Sequence, residues 1–241
     1  MPRVDGRAPD ELRPINIQPG YLEFAEGSVL IEAGKTRVVC SASIDESVPR
    51  FLRGEGSGWI TAEYAMLPRS THSRTARDRG SGGGRAVEIQ RLIGRSMRSI
   101  AELDKLGVRT VTLDCDVLQA DGGTRTLAIT GAYLALYQAL LALVRRKALH
   151  RVPLRAPVAA TSVGLVGGEL LLDLCYEEDF RAEADVNVVM AGTGELIEVQ
   201  GTGEQRPFSR EQMGRMLDLA DTGIRALFEH QRQAVERLLG S

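Results

Sequence analysis

Residues 111–143 read VTLDCDVLQADGGTRTLAITGAYLALYQALLAL. The opening residues alternate, with Val111, Leu113, Cys115 and Val117 on one side and Thr112, Asp114 and Asp116 on the other, the period of a half-buried strand. From Leu127 the pattern changes. Leu127, Ile129, Leu134, Leu136, Tyr137, Leu140, Leu141 and Val144 leave almost no polar face, as in a helix at the centre of a fold. Between strand and helix lie six residues, DGGTRT, 121–126.

That joint is chemically unusual. Two glycines let the backbone approach a ligand and adopt conformations closed to other residues. Thr124 or Thr126 can cap the helix, whose first N–H groups have no intrahelical acceptor. Arg125 adds a guanidinium. A helix start of this kind suits an oxyanion such as phosphate or sulfate. The same residues also suit a tight turn in which Arg125 pairs with Asp116 or Asp121.

Outward from this stretch, residues 28–44 (SVLIEAGKTRVVCSASI) hold two apolar runs around a Gly-Lys turn and predict a hairpin. The embedded AGKT is no phosphate loop, because its glycine spacing is wrong and a strand follows. Residues 69–85 (RSTHSRTARDRGSGGGR) break all periodicity and predict a basic, mobile loop. Residues 86–106 carry a helical stripe, Val87, Ile89, Leu92, Ile93, Met97, Ile100 and Leu103, closed by Gly107. Arg91, Arg95 and Arg98 line another face of that helix. Pro153 and Pro157 mark a boundary, predicting domains over 1–152 and 153–241. The second half restarts with a hairpin turning at Gly167-Gly168, and its last helix opens at Ser209 with a capping box to Gln212.

A second cluster is acidic. Glu177, Glu178, Asp179, Glu183 and Asp185 fall within nine residues, flanked by predicted strands. Carboxylates this dense repel unless a cation or arginine balances them. Mg²⁺ suits them, taking one or two carboxylates together with waters and phosphate oxygens; a solvated acidic turn is the other reading. Asp185 stands at a strand start, where its side chain has a fixed direction.

Net charge is −2, so a polyanionic partner would be held by local basic patches. Cys40, Cys115 and Cys175 stand singly, with no metal or redox spacing. No segment approaches the apolar length of a bilayer span, and the charged residues 1–15 lack a signal-peptide core, so a cytoplasmic protein is expected. Arginines for phosphate and carboxylates for Mg²⁺ suggest phosphoryl or nucleotidyl transfer.

Several motifs in order, GWITAEYAMLPRSTHSR (58–74), EIQRLIGRSMR (88–98), LDCDVLQADGGTRT (113–126), LLLDLCYEED (170–179), AEADVNVVM (182–190) and EVQGTGE (198–204), closely resemble the ribonuclease PH family of phosphorolytic exoribonucleases. The resemblance spans nearly the whole chain. It implies an α+β fold like ribosomal protein S5 domain 2, in duplicated halves, assembled as a homohexameric trimer of dimers. It implies phosphate attack on the 3′ ends of tRNA precursors, with release of nucleoside diphosphates. It places phosphate on Arg85, Gly123, Thr124 and Arg125, and a catalytic, Mg²⁺-binding pair on Asp179 and Asp185. RNA entry falls to Arg69, Arg74, Arg77 and Arg79, in a loop shorter and more glycine-rich than the family's usual one. A catalytically silent, RNA-threading ring subunit is the alternative; such a subunit is expected to lose Arg125 or the acidic pair, and both are present.

Overall fold

The computed structural model describes residues 3–76 and 84–240. Strands β1 (Ile15–Pro19), β2 (Gly27–Ala33), β3 (Thr36–Asp45), β4 (Trp59–Met66) and β5 (Thr110–Gln119) form one sheet in the order β1-β2-β3-β5-β4. Gly34 and Lys35 turn β2 into β3 with Ala33 opposite Thr36, the hairpin expected from the apolar runs. β5 is antiparallel to β3 and parallel to β4. A parallel neighbour requires a crossover, and α1 (Gly84–Ile100) and α2 (Leu103–Leu106) occupy that connection.

The second sheet holds β6 (Val158–Val166), β7 (Glu169–Leu172), β8 (Ala184–Ala191) and β9 (Leu196–Thr202) in the order β7-β6-β8-β9, antiparallel throughout. α3 (Thr124–Arg145) packs on β2, β3 and β6, while α5 (Arg210–Gly240) covers the other side of β6 and β8. β6 is therefore buried along nearly its whole length. Its residues divide by the two-residue period, with Val158 and Ala160 in the α3 core and Ala159 and Val163 in the α5 core. Gln231 of α5, fully buried, donates from Nε2 to the carbonyls of Thr130 (3.0 Å) and Val158 (2.9 Å), tying the three layers together. The α+β expectation holds.

Three expectations need correction. The stripe over 86–106 is not one helix. α1 ends at Ile100, where Ala101 bridges to Leu154 and the Ile100 carbonyl accepts the Arg155 N–H at 2.8 Å. The Glu102 N–H donates to the Pro153 carbonyl at 2.9 Å, so backbone groups that would extend the helix are satisfied across the chain instead. α3 does have the length and hydropathy of a membrane-crossing segment, but 78% of its apolar window is buried inside the protein, so it serves as the core helix. The acidic cluster does not lie simply between strands: α4 (Tyr176–Arg181) carries three of its members. The α5 capping box forms as predicted, Gln212 N–H to Ser209 Oγ at 3.1 Å and Ser209 N–H to Gln212 Oε1 at 2.8 Å.

Candidate active site

β5 passes into α3 through Gly122 and Gly123, both at positive φ, +77° and +62°. Glycine adopts this region without strain. Gly122 is also pressed against the chain entering α4: a Cβ there would lie 2.4 Å from the Leu174 carbonyl oxygen. From beneath, the buried Arg13 donates from Nη1 to the Asp121 carbonyl at 2.6 Å, and from Nε and Nη2 to the Asp173 carboxylate at 2.9 and 2.7 Å. Burial alone would raise the Asp173 pKa, but the Arg13 guanidinium outweighs it and holds the carboxyl below its ordinary range.

Neither threonine caps α3. Thr126 donates its hydroxyl to the Gly123 carbonyl at 2.9 Å, and Thr124 Oγ1 accepts from the Tyr64 phenol at 2.8 Å. The first intrahelical bond runs from Leu127 N–H to the Gly123 carbonyl. The N–H groups of Thr124, Arg125 and Thr126 precede it and have no acceptor in the helix, which leaves the positive end of a 22-residue helix open. Arg125 pairs with neither Asp116 nor Asp121. It donates from Nη1 to Gln200 Oε1 of β9 at 2.8 Å and to Glu88 Oε1 of α1 at 3.4 Å.

The acidic cluster divides by partner. Glu178 is buried and accepts from Arg3 Nε (2.8 Å) and Nη2 (2.7 Å), Glu177 pairs with Arg181, and Glu183 pairs with Arg206. Asp179 and Asp185 instead face one open cleft of about 710 Å³, which they share with Arg85, Gly123, Thr124 and Arg125. Asp185 has a raised pKa, from burial first and then from the negative charges of Asp179 and Glu204. Asp179 is raised as well, because burial exceeds the pull of Arg85 and Arg125. Burial also raises the Tyr64 phenol, against its bond to Thr124 and the nearby charges of Arg85 and Arg125.

The cleft is thus lined by both cationic and anionic groups. Two mutually repelling carboxylates, Asp179 exposed and Asp185 partly buried, fit a divalent cation that completes its shell with water and phosphate oxygens. Among the described residues no group of three or more His, Cys, Asp or Glu forms an all-protein cage. Mg²⁺ rarely uses one.

Of the arginines expected at RNA entry, Arg69 and Arg74 are exposed in the segment after β4 and do not line the cleft, although Thr71 does. Arg77, Arg79, Gly82 and Gly83 lie outside the described residues, while Gly84 opens α1. Residue patterns alone did not single out Arg13, Tyr64 or Gln200. Tyr64 had a signal, since it falls on the inward face with Ile60 and Ala62 and a buried phenol needs a partner. Arg13 had none: its partner Asp173 is 160 positions away.

Residues 11–142 match domain 1, and residues 156–223 match domain 2, of the 3′ exoribonuclease family. Ribonuclease PH of Moorella thermoacetica is 57% identical over 237 residues, covering 98% of this chain and 95% of that protein. An Archaeoglobus fulgidus exosome with RNA bound to the active site superposes with a TM-score of 0.81 at 24% identity, over 95% of this chain and 92% of that one. Rice Rrp46 gives 0.78 at 21% identity, over 95% of this chain and 98% of that one. At such identities these structures speak to the fold alone. The two matched domains and the 57% identical relative show that this chain belongs to the ribonuclease PH family of 3′ exoribonucleases.

Proposed function

We propose that the chain trims the 3′ ends of tRNA precursors by phosphorolysis, with inorganic phosphate seated at the start of α3. The observation that carries this reading is the cleft itself. It brings the uncapped end of α3, Arg85 and Arg125 together with the pair Asp179 and Asp185. Phosphate would be bound by the open N–H groups, the Thr124 hydroxyl and the two guanidinium groups, all of which favour an anion. One of its oxygens attacks the phosphorus of the 3′-terminal nucleotide. The bond from that phosphorus to the preceding 3′-oxygen breaks, and a nucleoside 5′-diphosphate leaves.

The preceding 3′-oxygen must gain a proton. Asp185 can supply it, because its raised pKa keeps the proton available closer to neutral pH than an ordinary carboxylate allows. Where Asp179 and Asp185 are both ionised they would instead hold Mg²⁺, which would neutralise charge developing on the leaving oxygen in place of the proton. Tyr64 holds Thr124 in place, and Gln200 and Glu88 hold Arg125, so the anion site is preorganised. Arg69 and Arg74, exposed and basic, would guide RNA toward the cleft.

In this reading the chain works in the cytoplasm as a homohexamer, a trimer of dimers, with its two domains dividing at residues 152 and 153. Retention of Arg125, Asp179 and Asp185 supports an active subunit over a silent one.

The test is a competition between a tRNA carrying a short 3′ extension and the same tRNA without it, with inorganic phosphate and Mg²⁺. Shortening of the extended species to the mature end, with nucleoside diphosphates released, is the expected result. Indifference to the extension would remove tRNA precursors from the proposal.

A further inference from the structure

Two aromatic rings stand exposed at the mouth of this cleft. Tyr176 and Phe180 are one turn apart on α4, their ring centroids 6.2 Å apart and their planes inclined by 28°. They are 51% and 76% exposed, and both line the cleft beside Asp179. Neither belongs to any of the apolar clusters that build the core. The fold does not explain them, since leaving a Phe side chain in water forgoes the stabilisation its burial would give.

Their support is rigid. Glu178, on the same helix, is buried with Arg3 and accepts the Cys175 N–H at 3.1 Å. The side of α4 that carries Glu178 is therefore anchored, and the i, i+4 pair Tyr176 and Phe180 projects from another side. The platform thus sits on the same helix as Asp179, in a cleft that the cations of Arg85 and Arg125 also line. Cations that take the backbone, combined with flat rings that take the bases, are what a single-stranded nucleic-acid site requires.

We infer that Tyr176 and Phe180 form a stacking platform for the nucleobases at the RNA 3′ end, holding the terminal nucleotide while its phosphodiester lies between Asp185 and the anion site. The identity of the ligand as RNA rests on the phosphorolytic reading; the platform itself rests on the rings. Every base presents a π face, so the platform tolerates any sequence. A trimming enzyme that removes successive, different nucleotides needs that tolerance. Tyr176 and Phe180 are positioning residues and take no part in bond making.

The experiment uses the full chain and a short RNA with 2-aminopurine at its 3′ terminus, mixed without phosphate so that no turnover occurs. Wild-type chain quenches the fluorescence on binding. Phe180→Ala and Tyr176→Ala lose the quench, and each raises the KM for RNA by about tenfold while the KM for phosphate stays in place. Phe180→Leu, which keeps apolar bulk without a π face, behaves like the alanine variant. Phe180→Trp restores both the quench and the KM. Binding and trimming of the RNA with an unquenched base, or a quench indifferent to these substitutions, overturns the platform and leaves phosphorolysis standing. No RNA binding by the wild-type chain overturns both.

Discussion

Arg13 and Asp173, 160 positions apart, meet through three N–H donations, from the Arg13 backbone (2.9 Å), Nε (2.9 Å) and Nη2 (2.7 Å), directly beneath the joint between β5 and α3. The third nitrogen of the same guanidinium holds the Asp121 carbonyl at 2.6 Å. One buried ion pair therefore fixes the loop from which α3 starts.

Breaking that pair should cost both stability and activity. Arg13→Ala leaves the buried Asp173 with only Arg7, whose Nη1 lies 3.8 Å away, so the loss approaches the about 3–5 kcal/mol of a broken buried pair. Urea unfolding at neutral pH measures it. Because Asp173 titrates below its unfolded value, its contribution is complete above about pH 4 and is lost as pH falls toward the folded-state pKa. Asp173→Asn should flatten that acid limb.

Gly122→Ala should be worse than its size suggests. The added carbon meets the Leu174 carbonyl oxygen at 2.4 Å, and the φ of +77° disfavours any side chain. Either the joint or the start of α4 must shift, so phosphate affinity falls together with the unfolding temperature. A variant with unchanged Tm and phosphate KM would show the joint to be tolerant.

Asp185→Asn separates function from stability. The folded chain holds the Asp185 proton to higher pH than the unfolded chain does, so stability falls as pH rises from about 4 through the folded-state pKa. The variant should show a higher Tm than wild type at pH 7 and no difference well below pH 4. Its activity should drop by about 10²–10⁴-fold, as on loss of a general acid.

Tyr64→Phe removes the donor to Thr124 Oγ1 and nothing else in the cleft. Its effect on stability should be about 1 kcal/mol. The informative readout is the phosphate KM, which should rise while the KM for RNA is unchanged.

The strand, the bare joint and the core helix were all legible in residues 111–143, because side-chain period and glycine chemistry are local. So was the α5 cap, whose Ser209 and Gln212 are three residues apart. What connects distant parts of the chain was not. Helix α1 stops at Ile100 because residues 153–155 pair with it, a contact no period encodes. The acidic cluster looked uniform in sequence, yet Glu178 is neutralised by Arg3, 175 positions away, and only Asp179 and Asp185 face the cleft. Arg125 could be placed at an anion site, but its holders Gln200 and Glu88 come from β9 and α1.

The most direct measurement follows radiolabelled inorganic phosphate into product, with wild-type chain and with Arg125→Ala, whose side chain lines the cleft and is not part of the core. Wild type should release nucleoside diphosphates labelled on the β-phosphate. Arg125→Ala should release them at least about 10²-fold more slowly, as on loss of one preorganised donor, with the fold intact by circular dichroism. Unlabelled monophosphates from wild type, or undiminished labelling by Arg125→Ala, would contradict a phosphate site at the start of α3.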